Sequence, residues 1–467
     1  MHRRDFMKLA AAAGLTVMPP RQAARAGGEM APGPYWMTIN LRGGWDTTLF
    51  CDPRGADHAV EGAPLDQNDE PIGVNRAFTS DQILTRPAHV TCTDDPDDNC
   101  EQGLLRLGPD RGPDGALLYG HGLYGQPNVL DALADPGFTI INGIDAGLTS
   151  HAQGERQAMS GALDRGAPTL GSLIARHRLD GGAEMPIPLL SFGGYDSTGE
   201  LVAPTRLTRF EVLDKITKPN LSLDDAAGPR FHETHSKNAI DEMVARRMQR
   251  QRDRATTLPR HARALAQLHD VRLRRHQLRR FAETFEHAVF DAPTRDFIQR
   301  QIYVSLLSFR EGLAASAGLT INGWDTHHDN DRDQSRLLRQ LFGALIFLRH
   351  QAARMGVLDR LNVVVLSEFG RTPTYNRFNG KDHHSVSSWM TMLWGSGLED
   401  GIRVVGGTDA DMLARPMTEG AEFATLAPGV KLSPAIVHNE LRHVAGLAGE
   451  PVLTGFELPV PRVRIWG

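Results

Sequence analysis

The chain has 467 residues, 40% hydrophobic and 23% charged, which excludes a disordered or fibrous protein and is long enough for one large α/β domain. Its 51 basic and 56 acidic residues leave a net charge of -5, which excludes a nucleic-acid binder held by bulk charge. The 19 His are many for the commonest metal-ligating side chain, although a single His is ordinarily a surface or helix position.

Residues 1–26 read as an export signal rather than as part of the fold. Arg3 and Arg4 stand together ahead of Phe6, Lys8 and a short apolar stretch, and Ala24-Arg25-Ala26 supplies a small-x-small cleavage site. The apolar stretch is too short to anchor in a bilayer, and RRDFMK follows the twin-arginine pattern. Such signals export proteins already folded, often with a metal loaded, so a periplasmic or secreted location is expected. No other long apolar run occurs, so stable membrane insertion is not expected. In an oxidising compartment Cys92 and Cys100 read as a disulfide across an acidic loop, with Cys51 left over. Asp94, Asp95, Asp97 and Asp98 between them lack the spacing of an EF-hand and read as a solvated surface.

The mature chain, residues 34–467, is expected to form a single α/β domain. PYWMTINLRGGWD (34–46) reads as a strand closed by a Gly-Gly turn and Asp46, and residues 52–125, rich in Pro, Gly and Asp, read as loops. FTIINGI (138–144) is a second strand, followed by a helix that Ser150 is placed to cap. TLGSLIARH is a short helix and IPLLSFGG a strand. Residues 235–290 change character: Arg-rich and poor in Gly, with Leu268, Val271, Leu278, Phe281 and Phe285 at near-helical spacing, they read as a helical insertion divided at Pro259. A helix over 294–314 follows, with Thr294 as its expected cap, and then the strand GLTINGWD. Residues 331–355 carry an apolar stripe of Leu337, Leu338, Leu341, Phe342, Leu345 and Leu348 and stop at Gly356. LNVVVLSEFG is the continuous apolar run of a strand buried on both faces. This alternation of helix and strand predicts a predominantly parallel sheet flanked by helices.

In such sheets the working residues gather at the carboxyl ends of the strands. Asp46 follows the first strand, Ser150 and His151 follow the second, and Asp325, His327 and His328 follow the strand at 319. Glu368 and Arg371 follow the apolar strand, and Asp382, His383 and His384 come next. Carboxylates and imidazoles arriving together at one sheet edge suit a divalent metal, Zn²⁺ first and Mn²⁺ or Fe otherwise, as one ion or two. An Asp after Gly more often makes a turn; the expectation rests on the recurrence at successive ends.

GGWDTTLF, TSHAQGERQAMSG, INGWDTHHDN, VVVLSEFGRTPTYN and GKDHHSVSSWMTMLWGSGL, in this order behind a twin-arginine signal, resemble the DUF1501 family of exported bacterial proteins. That family is placed in the alkaline phosphatase and sulfatase superfamily. The resemblance implies an alkaline-phosphatase-like α/β fold and a metal-dependent hydrolase of phosphate esters, or less readily of sulfate esters, acting on a small anionic substrate. It implies Asp46, Asp325 with His327 or His328, Glu368, and Asp382-His383 as the metal set. The superfamily's usual Asp-His pair is here Glu368-Phe369, which loses one imidazole. Arg371 is implied to hold ester oxygens through its fork. The superfamily's nucleophile position falls on His151, not on a hydroxyl, with Thr149 and Ser150 adjacent. Ser150 as nucleophile, His151 as phosphoryl acceptor or metal ligand, and a site that retains binding without chemistry all stay open. No Cys lies there to make formylglycine, which argues against an ordinary sulfatase. The rival class is an exported binding or assembly protein whose working surface is the insertion at 235–290.

Replacing Arg3 and Arg4 with Lys is expected to strand the precursor in the cytoplasm, read by fractionation and immunoblotting. Undiminished periplasmic accumulation would assign export to the general secretory route instead.

Overall fold

The computed structural model describes residues 33–76, 133–207, 232–253, 296–417 and 429–466, apart from 134, 184 and 400. The signal at 1–26, Cys92 and Cys100, most of the loop-rich segment after 76, and the insertion beyond 253 lie outside the described residues. Ten strands and six helices organise the rest. The strands are β1 (Tyr35–Leu41), β2 (Gly137–Asp145), β3 (Leu189–Ser191), β4 (Pro204–Arg206), β5 (Ser316–Ile321), β6 (Leu361–Ser367), β7 (Gly370–Tyr375), β8 (Lys381–His384), β9 (Val386–Met392) and β10 (Gly401–Gly406). The helices are α1 (His151–Ser160), α2 (Leu170–Asp180), α3 (Thr234–Arg252), α4 (Phe297–Arg310), α5 (Asn330–Met355) and α6 (Pro434–Val444).

Eight strands form one sheet in the order β10-β2-β9-β6-β1-β5-β3-β4. Every neighbouring pair is parallel except those made by β9, which runs antiparallel to both β2 and β6. The expected predominantly parallel sheet with helical flanks is therefore present. β7 and β8 pair antiparallel with each other as a separate ribbon.

Period-2 alternation divides the core into two layers. Met37, Ile39 and Leu41 of β1 and Val363 and Val365 of β6 face one side, where they pack with Ile302 and Leu306 of α4 and the α5 stripe. Trp36, Val364 and Leu366 face the other, against Leu173 and Ile174 of α2 and Val437 and Leu441 of α6. Leu337, Leu338, Leu341, Phe342, Leu345 and Leu348 are all buried on α5. At about 1.5–3 kcal/mol each, that stripe outweighs any single polar contact in the helix. Gly356 ends α5 in the left-handed region, as expected. α4 departs from the expected start: it opens at Phe297, and the carboxylate of Asp296 caps it by accepting from the Gln299 amide. Thr294 lies outside the described residues. Of the expected insertion, α3 is helical. No helix among the described residues is long and apolar enough to cross a membrane.

The turn after β1 fixes the site geometrically. Gly43 and Gly44 have φ of +125° and +94°. A Cβ on Gly43 would overlap the Asp325 backbone, and one on Gly44 would sit 2.7 Å from the Phe369 ring. Only glycines let the end of β1 approach the ends of β5 and β6 this closely.

Candidate metal centre at the strand ends

The segments after β5 and β6, the first residue of α1 and the strand β8 meet around one carboxylate, Asp325. His383 Nε2 lies 3.0 Å and His327 Nε2 3.1 Å from Asp325 Oδ1, and the two imidazole nitrogens are 3.0 Å apart. His151 Nε2 lies 3.3 Å from Asp325 Oδ2. His151, Asp325 and His383 each present a ligand atom within 4.8 Å of the others.

Each imidazole is held from behind at Nδ1. His151 Nδ1 is 2.5 Å from Glu368 Oε1, His327 Nδ1 is 2.8 Å from Asp382 Oδ1, and His383 Nδ1 is 2.9 Å from the Thr149 carbonyl. The Thr149 carbonyl can only accept, so His383 carries its proton on Nδ1. The hydrogen bond from His327 holds the Asp382 carboxyl below its ordinary range, so it too accepts. In the neutral rings the Nε2 lone pairs of His327 and His383 then face each other and an anionic oxygen. That arrangement calls for one added positive charge. Burial holds the His383 imidazole below its ordinary pKa, which disfavours a proton there. A divalent cation fits better. Ligand atoms around tetrahedral Zn²⁺ with bonds of about 2.0–2.1 Å lie about 3.3 Å apart, close to the separations found. Nδ1 held by a carboxylate or carbonyl is also how ligating histidines are oriented.

Asp325 is fixed by Arg371, which donates to Oδ1 at 2.7 Å. Burial works to raise the Asp325 pKa, but the hydrogen bond and the positive charge of Arg371 outweigh it and hold the carboxyl below its ordinary range. Arg371 does not take the implied role of gripping ester oxygens. Its side chain is fully buried, and it donates to the carbonyls of Gly43, Gly44, Trp324 and Lys381 as well as to Asp325. It is a positioning residue.

Asp46 also departs from the expected metal set. Its carboxylate is buried and accepts from Thr48 N, Thr48 Oγ1, Asn330 Nδ2 at 2.8 Å and Lys381 Nζ at 2.6 Å. The Lys381 ammonium, also donating to Asn75 Oδ1 at 3.1 Å, supplies the cation that a metal was expected to provide. Lys381 was not among the expected site residues. Read as a strand, KDHH puts Lys381 and His383 on one face and Asp382 on the other.

Glu368 is buried and accepts from the Gly43 amide as well as facing His151. Its Oε2 has no partner, and burial pushes its pKa up, against the pull of His151. Ser150 occupies the N-cap of α1, but its hydroxyl makes no capping bond and is exposed. His328 is exposed and stacks on Phe378, with ring centroids 4.7 Å apart.

The fold and site together define an α/β protein with a histidine-carboxylate cluster at the carboxyl edge of a mostly parallel sheet. Over residues 127–446 the chain matches the family described as "Protein of unknown function (DUF1501)", and it belongs to that family. No curated protein matches. Among solved structures, a crystal structure of Ps i-CgsB in complex with k-i-k-neocarrahexaose aligns with a TM-score of 0.30 and 8% identity over 92% of this chain and 78% of that one. A similarity that low carries neither fold nor ligand across.

Two stability measurements follow. Asp46→Asn or Lys381→Met alone leaves one buried charge unpaired and is expected to cost about 3–5 kcal/mol in urea unfolding, with the double variant recovering part of it. Singles indistinguishable from wild type would mean the pair is not buried as described. For Asp325, whose folded pKa lies below its unfolded value, the contribution to stability is present above about pH 4 and is lost as pH falls towards about 2. Asp325→Asn in chelator-treated protein is therefore expected to be less stable than wild type at pH 7, with the gap closing through that acidic window.

Proposed function

We propose that this chain is an exported, metal-dependent hydrolase of small anionic esters, phosphate before sulfate, with an alkaline-phosphatase-like fold. The observation that carries the reading is the set of imidazoles anchored at Nδ1, with Nε2 turned towards Asp325. Asp325, His327 and His383 would hold one divalent ion, Zn²⁺ by donor type. When bound, such an ion supplies Lewis-acid polarisation of an ester oxygen and lowers the pKa of water.

The chain's own residues supply the rest. Glu368 keeps the His151 proton on Nδ1, which leaves Nε2 basic and facing the pocket. His151 is thereby suited to accept a proton from the attacking oxygen, whether that of Ser150 or of water. Arg371 acts indirectly, by keeping Asp325 anionic and in place. A second ion has no place on Asp46, whose oxygens are taken by Thr48, Asn330 and Lys381. The same inward-turned Arg371 and closed Asp46 favour a second reading, an exported binding protein that keeps its metal without chemistry.

Metal analysis and an ester screen separate these readings. The purified protein is expected to carry one divalent ion per chain, lost in Asp325→Ala and retained in Asp329→Ala. Wild type is expected to hydrolyse a phosphate ester slowly. His151→Ala should cut turnover by orders of magnitude, and Ser150→Ala should do the same only if Ser150 attacks. Bound metal with no turnover of any phosphate or sulfate ester would establish the binding-protein reading; no bound metal at all would overturn both.

A further inference from the structure

The turn between β7 and β8, residues 376–380, lies directly against the metal centre. Asn376 Nδ2 donates to the His327 carbonyl at 3.1 Å and to Asp382 Oδ1 at 3.2 Å. The Asp329 amide donates to the Phe378 carbonyl at 3.2 Å and the Asn330 amide to the Asn379 carbonyl at 2.9 Å. The turn is also closed on itself, because Asn376 Oδ1 accepts from both the Phe378 and Gly380 amides. Arg76 braces it by donating to Asn379 Oδ1. Asp329 and Asn379, facing each other across this contact, both hold left-handed backbone, at φ +43° and +56°. Such residues cost free energy, of order 1–3 kcal/mol in the sparsely populated regions, and persist where surrounding contacts fix them.

This braced turn displays an aromatic surface. Phe378 is 46% exposed. The exposed His328 ring stacks on it, centroids 4.7 Å apart and planes 29° from parallel. The exposed Arg377 guanidinium lies 4.6 Å from the same ring centroid. The neighbouring acids are already engaged: Asp329 with Arg332, Asp331 with the Tyr375 hydroxyl, and Asp382 with His327. Arg377 has no ion pair among the described residues. Buried packing does not account for a rigid, exposed stack of two rings and a cation one residue from His327.

We propose that His328, Phe378 and Arg377 form a subsite for the part of the substrate that does not react, a six-membered ring, aryl or sugar, bearing negative charge. This rests on the metal-dependent hydrolase reading. The ring lies against the stack, and its negative substituent meets Arg377. Base for the fit is geometric: the stack is preformed, so binding orders no loop, and a ring stacked on an aromatic face gains dispersion and electrostatic contact.

Calorimetry on the metal-loaded full chain with inorganic phosphate, 4-carboxyphenyl phosphate and glucuronic acid 1-phosphate tests it. At least one ring-bearing probe is expected to bind tenfold or more tightly than inorganic phosphate, and which one does so identifies the ring as aryl or sugar. Phe378→Ala should abolish that preference and Phe378→Trp restore it, with metal content and inorganic phosphate binding unchanged in both. Equal affinity of the wild type for all three probes would overturn the subsite while leaving the hydrolase reading intact. A ring preference that survives Phe378→Ala would overturn the placement. Absence of binding by all three would remove the anionic-ester reading and the subsite with it.

Discussion

The Asp325 carboxylate is the point on which the site depends. From behind, Arg371 ties it to the Gly43-Gly44 turn, to Trp324 and to β8. In front, three imidazoles converge on it. A buried guanidinium is costly unless its donors are met, and each of the three Arg371 nitrogens has a carbonyl or carboxylate acceptor here. The arrangement therefore fixes more than one side chain. It locks the ends of β1 and β5 and the β7–β8 ribbon into one rigid edge, and that rigidity brings imidazole nitrogens to 3.0 Å without collapse.

Much of this was legible from residue pattern. The apolar run at 361–367 and the α5 stripe predicted a buried strand and its covering helix because periodicity reports burial directly. Asp325, His327, Glu368, Asp382 and His383 were brought together as expected, because successive parallel strands deliver their ends to one edge. His151, also among the expected site residues, lies beside Glu368 and Asp325. What pattern did not reveal was the sign of each contact. Nothing local distinguishes an Asp46 that binds metal from one that binds a lysine, since the deciding partner lies more than 300 residues away. Arg371 carried the same ambiguity. An Arg at a strand end reads as an anion grip until the carbonyls around it are known. The start of α4 was missed for a simpler reason: Thr294 and Asp296 are both good caps, and only the backbone chooses between them.

Two side chains of β8 divide the labour at this edge. Lys381 and His383 lie on the same face of β8, one directed to Asp46 and the other to Asp325. An ammonium placed on Asp46 cannot exchange with solvent as a bound ion can, so that half of the edge is set when the chain folds. The Asp325 half stays open, with its carboxylate 42% exposed. If the open half takes up a metal ion, as proposed, the edge combines a permanent charge with an exchangeable one.

That division constrains the chemistry under the hydrolase reading. Clamping both the attacking and the leaving oxygen takes two ions, and Lys381 has removed one position. Arg371, turned inward, cannot take up the charge that develops on the transferring group. What remains is a single ion beside Asp325, the positive end of α1, which begins at His151, and the Glu368-supported imidazole as base. If these serve the attacking oxygen and the transferring group, the leaving oxygen has no group of its own. A leaving group that is itself a good anion, or that brings its own contacts, would need the least help from the protein. In the proposed subsite, the braced aromatic turn beside His327 would supply contacts of that kind to a ring-bearing leaving group.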